Sequence, residues 1–147
     1  MIATLRRAYQ FPPATRRALV DGAIVQVAFA AALRLIPFRT VARASRRVHA
    51  VRRAASDFAT LSRRLWAIEA AGRHLGGAST CLARALAAQW IAARHGVRLP
   101  VSIGVARGAG GSLDAHAWVA AHALVRVDAD RIDRYRPLVT LEDAPDL

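Results

Sequence analysis

The apolar pattern of this 147-residue chain changes period once, near residue 97, and that change constrains the fold more than any other feature. Before it, apolar residues recur every three or four positions, the spacing of one helix face. After it, Val101, Ile103 and Val105 alternate with Ser102 and Gly104, as in a half-buried strand. Helices first and strands afterwards read as an α+β protein. At this length the chain fits a single domain, 1–147, with a helical, Arg-rich part over 1–72 and the remaining core over 73–140.

Residues 1–13 read as a short helix or arm ended by Pro12-Pro13. Over 14–35, Leu19, Ala23, Ile24, Val27, Ala31 and Leu35 keep helical spacing until Pro37 breaks it. The spacing predicts a basic amphipathic helix over 38–56, with Val41, Val48 and Val51 between arginines, and a helical continuation through Leu61, Leu65 and Ile68. Gly72 and Gly76-Gly77 are expected to loosen the chain. A further helix should start at Cys81, capped by Ser79 or Thr80, pack through Leu82, Leu86, Gln89, Trp90 and Ala93, and stop at Gly96. Beyond the first strand, Gly108–Ser112 is a turn, 115–121 and 124–128 are strands joined by a tight turn, and the segment from Pro137 is a polar tail.

The net charge of +12 is carried by arginine, since the chain has no lysine. Thirteen of the 22 arginines fall within residues 1–64, beside only Asp21 and Asp57, whereas seven of the ten acids lie from Asp114 onward. A front this basic attracts an acidic partner, peptide, nucleic acid or membrane surface, or is simply a solvated helix face. The apolar run 23–33 is too short to cross a bilayer and reads as a buried helix. A single cysteine excludes an internal disulfide and any paired-cysteine zinc or redox motif.

That cysteine, Cys81, stands where a nucleophile would be placed. A helix N-terminus offers partial positive charge and unpaired N–H groups, and both stabilise a thiolate. His116, in the strand His116-Ala117-Trp118-Val119, can share the thiol proton and later protonate a leaving amine. Asp128, at the end of the next strand, can fix the imidazole tautomer; the twelve-residue spacing, with a hairpin between, sets both side chains on one face. Each residue has a plainer reading: a small buried hydrophobe, a structural histidine, and an acid with rivals in Asp114, Asp130 and Asp133. Trp118 is a pocket wall or plain core. His49, His74, His95 and His122 read as surface or packing residues.

Four segments in order, Cys81-Leu82-Ala83-Arg84, Val101-Ser102-Ile103-Gly104-Val105, Ala115-His116-Ala117-Trp118-Val119, and Asp128 with the trailing Asp133-Arg134-Tyr135, resemble the transglutaminase-like cysteine peptidases of lasso-peptide biosynthesis. The resemblance is sharp over 79–138 and looser ahead of it, where Pro37-Phe38 matches a family pair. It departs after His-Ala-Trp-Val, where the family has Glu and then a turn Gly and this chain has Ala120-Ala121-His122-Ala123. The resemblance implies a papain-like core, a Cys-bearing helix on a small antiparallel sheet, with Cys81 as nucleophile, His116 as base and Asp128 as orienting acid. It implies bacterial, cytoplasmic removal of a leader from a ribosomally made precursor, without cofactor or metal. It also implies the split form, which lacks a fused recognition domain and works with a separate leader-recognition protein, beside an ATP-dependent macrolactam cyclase. Arg43, Arg46, Arg47, Arg52 and Arg53 are then candidates to bind the leader or that partner. The alternatives are a transglutaminase-like acyltransferase and a basic module that binds nucleic acid or a partner. No helix-turn-helix or zinc motif supports nucleic-acid binding, and no membrane contact is expected.

Overall fold

Pro13, with φ already set for a helix and no N–H to lose, opens helix α1 at Pro13–Leu35. The computed structural model describes residues 10–47, 57–121, 125–129 and 132–141. Helix α2 spans Phe38–Arg47, α3 Phe58–Leu75 and α4 Cys81–Arg94. The strands are β1 Val101–Arg107, β2 Leu113–Ala121, β3 Val125–Val127 and β4 Arg136–Thr140. They form one antiparallel sheet in the order β3-β2-β1-β4. Helices α1, α3 and α4 pack together, and α4 also packs on β2. The α+β expectation therefore holds, with a helical region ahead of the sheet.

The core joins the two layers. Leu61, Leu65 and Ile68 of α3 and Leu86 and Ile91 of α4 meet Val101, Ala117, Val119 and Val127 of the sheet. Each large aliphatic side chain, fully buried, contributes about 1.5–3 kcal/mol. Helix α4 is enclosed on nearly all sides, with Ala85, Leu86, Ala87, Ala88 and Ala92 inaccessible. Alanine lets its neighbours approach that closely.

Several expectations need correction. The run 23–33 is the middle of a 23-residue helix, which by length and composition alone could cross a membrane, a test that core helices of soluble proteins also pass. Its buried stripe is not the bulky one: Ala18, Gly22, Gln26 and Ala30 face inward, while Val20, Ile24, Val27 and Leu35 are exposed. The reason is close approach, since a Cβ on Gly22 would lie 3.4 Å from the Ala67 and Ile68 backbone of α3. Gln26 is fully buried because both ends of its amide are used. Its Nε2 donates to the carbonyls of Gly22 (3.1 Å) and Ile68 (3.0 Å), and its Oε1 accepts from Ser79 Oγ (2.7 Å).

The basic helix is described only as far as Arg47; Val48, Val51, Arg52 and Arg53 lie outside the described residues. Helix α3 is a separate element capped by Asp57, whose Oδ1 accepts from the Ala59 N–H at 2.6 Å. Gly72 does not loosen the chain, being buried inside α3. Residues 137–140 are no tail either: with Arg136 they form edge strand β4 against β1, and an edge is where a proline can sit in a sheet, while Glu142, Asp143, Pro145 and Asp146 lie outside the described residues. The Gly96 stop is as expected, at φ +76.

Beside α1 lies a cavity of about 260 Å³, lined by Asp21, Arg64, Trp90, Arg94 and His95 among others. Arg64 pairs with Asp21 at 3.3 Å, and Arg94 stacks on Trp90. His95 Nδ1 is buried with no hydrogen-bond partner among the described residues. Burial, then the charges of Arg64 and Arg94, hold its imidazole below the ordinary 6.5. Above 6.5 the ring is neutral folded or unfolded and costs nothing. Below it the unfolded chain takes the proton first, so stability falls as pH drops from 6.5 toward the folded value. The urea midpoint should accordingly be lower at pH 5 than at pH 7.5, and His95→Gln should shrink that difference.

Candidate active site

Thr80 sets the start of α4. Its Oγ1 accepts from the Ala83 N–H at 3.2 Å and its carbonyl from the Arg84 N–H at 3.0 Å, leaving Cys81 as the first helical residue. Two residues before Cys81, Ser79 is tied to Gln26 of α1, and Arg34 Nη2 donates to the Gly77 carbonyl at 3.2 Å. The segment that delivers the cysteine is thus held to α1 at two points. Cys81 itself is partly buried against the core.

His116 lies in β2, opposite Gly104 of β1. Residues directly opposite in an antiparallel pair share a face, so the missing side chain at Gly104 makes room beside the imidazole. A Cβ there would fall 2.7 Å from the Arg136 carbonyl and 2.9 Å from Trp118 Cη2. Trp118, 5% exposed, stacks alongside His116 with ring centroids 6.1 Å apart and planes 17° apart. Tyr135 covers the imidazole at 4.9 Å. Its hydroxyl donates to Asp114 Oδ2 at 2.8 Å, and Arg134 lies 3.6 Å from the same carboxylate. The hydrogen bond to Asp114 raises the phenol above its ordinary 10.0, helped by burial and the Asp114 charge; Arg134 opposes, and Cys81 adds to the rise.

The sequence placed Asp128 at the end of a strand, but the strand stops at Val127. Val119 pairs with Val127, so continuing the register would set Asp128 opposite Trp118, two residues from His116. Instead the backbone turns at φ +54. The main-chain carbonyl of Asp128 then accepts from His116 Nε2 at 2.7 Å. Its carboxylate pairs with Arg84 Nε at 2.5 Å, and its N–H donates to Glu69 Oε1. A carbonyl can only accept, so Nε2 carries a hydrogen and Nδ1 is the basic nitrogen of the neutral ring.

The structure brings His116, Asp128 and Trp118 together, with Cys81 on the helix packed against the same strand. Of the rival acids, Asp114 serves Tyr135, Asp133 is exposed in a short 3₁₀ turn, and Asp130 lies outside the described residues. Of the five arginines proposed to bind leader or partner, Arg43 is exposed on α2, Arg46 and Arg47 end that helix, and Arg52 and Arg53 lie outside the described residues. His49, His122 and Ala123 lie outside them too, while the backbone of Ala121 closes β2. Three contributors were not assigned a role from sequence. Arg84 follows Cys81 by three positions and so shares its helix side, which was a readable signal. Glu69 is the one acid between Asp57 and Asp114. Tyr135 stood in the trailing Asp133-Arg134-Tyr135 motif, but nothing local to it pointed to His116. Among the described residues no cluster of three or more His, Cys, Asp or Glu side chains could hold a metal ion.

No curated protein and no solved structure matches the chain. A family model, that of the transglutaminase-like superfamily, does, over residues 23–140. Members of that superfamily are typically cysteine peptidases or acyltransferases. The matched stretch runs from within α1 to the end of β4 and takes in Cys81, His116 and Asp128, so the chain belongs to the transglutaminase-like superfamily.

Proposed function

We propose that this protein is a cysteine peptidase that removes the leader from a lasso precursor peptide. The reading is carried by a capped helix-start cysteine, Cys81, on the helix packed against the strand that bears His116, whose Nε2 is occupied by the Asp128 carbonyl, in a superfamily of thiol enzymes. The order Cys81-Leu82-Ala83-Arg84, then His116-Ala117-Trp118-Val119, supports this subgroup over others.

In this reading His116 Nδ1 takes the Cys81 proton, and the thiolate attacks the carbonyl at the leader–core junction. The oxyanion lies at the N-terminus of α4, within reach of the N–H groups of Cys81 and Leu82. The imidazolium protonates the leaving core amine as the C–N bond breaks, and the leader remains as a thioester. Water, deprotonated by His116, then releases the leader as a carboxylate. The freed core amine is a substrate for an ATP-dependent macrolactam cyclase. A separate recognition protein presents the leader, with Arg43, Arg46, Arg47, Arg52 and Arg53 as its dock, in the bacterial cytoplasm.

Acyl transfer is the competing chemistry, because superfamily members do both. Product mass separates them. Incubated with precursor and recognition protein, the enzyme should give two fragments whose masses sum to the precursor plus one water, from a single junction. A product in which the leader acyl group sits on another amine would replace hydrolysis by transfer. No cut under any pairing would remove the peptidase reading.

A further inference from the structure

Asp128 is the one residue other than glycine with a positive φ among the described residues, at +54. A Cβ disfavours that conformation, though aspartate tolerates it better than most residues, above all where its surroundings hold it there. Three elements do so. Glu69 of α3 accepts from its N–H, Arg84 of α4 donates to its carboxylate, and His116 of β2 donates to its carbonyl. The Arg84 side chain reaches Asp128 across Gly72, where a Cβ would lie 2.5 Å from Arg84 Cδ and 3.1 Å from Nη1.

We propose that Glu69 and Arg84 are positioning residues that lock Asp128 in this left-handed turn and so aim its main-chain carbonyl, rather than its carboxylate, at His116 Nε2. The inference rests on the Cys81–His116 reading above. Glu69 fixes the amide on one side of the Asp128 Cα, and Arg84 fixes the side chain. With both held, the carbonyl direction is determined. The carbonyl then keeps a hydrogen on Nε2 in both ionisation states of the ring and leaves Nδ1 to exchange the thiol proton.

The test uses the full chain and two readouts, the pH profile of Cys81 alkylation by iodoacetamide and the kcat and KM for precursor cleavage with the recognition protein present. Asp128→Gly keeps the carbonyl and adopts the turn without strain. It should lose about tenfold in kcat, whereas Asp128→Ala, which keeps the carbonyl but resists the turn, should lose about 100-fold or more, the cost of a small misplacement of a catalytic group. Glu69→Gln retains an oxygen that accepts from the Asp128 N–H and should lose about threefold; Glu69→Ala should lose about 100-fold, move the alkylation profile, and leave KM within about twofold. Circular dichroism shows which variants fold. If Asp128→Ala does not, the Glu69→Gln and Glu69→Ala pair decides. Equal loss in Asp128→Gly and Asp128→Ala, or a Glu69→Ala profile that does not move, would overturn the proposal. A wild-type profile unchanged by His116→Ala would overturn it together with the Cys–His reading. Failure of precursor cleavage with the alkylation shifts intact would remove only the peptidase assignment.

Discussion

A Cys81→Ala variant is expected to fold as the wild type does and to cleave precursor at least about 10³-fold more slowly. Alanine is the best helix former, and Cys81 is only partly buried, so α4 should form unchanged. The imidazole keeps its contacts to the Asp128 carbonyl and to Tyr135, neither of which needs the thiol. What disappears is the only thiol in the chain, and with it the means of forming the thioester. His116→Ala should fall nearly as far, because a nucleophile and its base act as a unit and their losses do not add. Mass spectrometry of precursor over time gives the rates, and a thermal melt within about 2 °C of wild type establishes the fold. Cleavage by Cys81→Ala at the wild-type rate would show that the thiol is a packed side chain and nothing more.

Gly104→Val is expected to lower stability by about 3 kcal/mol, near the top of the range for overpacking. In a domain of this size that corresponds to roughly 10 °C in the melting temperature. Valine in a strand is ordinarily favourable, so the sign rests on what surrounds this position. The Arg136 carbonyl, 2.7 Å from where the Cβ would stand, is backbone of the adjoining strand and can move only if β1 and β4 part. The Trp118 ring on the other side is 5% exposed and packed against His116. Gly77→Ala is the control, since nothing lies within 4 Å of a Cβ there; it should be neutral or gain up to about 1 kcal/mol. If Gly104→Val melts with the wild type, the sheet around His116 is more yielding than its contacts imply.

Much of this was legible in the chain itself, and for identifiable reasons. The change of apolar period located the passage from helices to sheet, because periodicity is a direct imprint of which face is buried. The helix start at Cys81 and its stop at Gly96 follow from chemistry within a few residues. The superfamily was legible from ordered motifs, and residues 23–140 match the one they suggested. What the pattern concealed were contacts between distant residues. Helix α1 turns its small residues inward because α3 approaches to backbone distance, and hydropathy alone favours the opposite face. Strand β4 was hidden by Pro137, a poor strand former that an edge tolerates. Spacing pointed to Asp128 but not to its positive φ, and the partners that contact it there, Glu69 and Arg84, lie 59 and 44 residues away.

The buried amide of Gln26 carries a consequence for any attempt to dissect the protein. One side chain joins the Ile68 carbonyl of α3 to the serine that precedes the cysteine turn. A fragment beginning at residue 73 would strip α4 of α1, α2 and most of α3, all of which pack on it, and leave Ser79 without its acceptor. Part of the arginine-rich front half, helices α1 and α3, is therefore scaffold for the segment that carries the thiol. A minimal version of this protein has to be shortened from elsewhere.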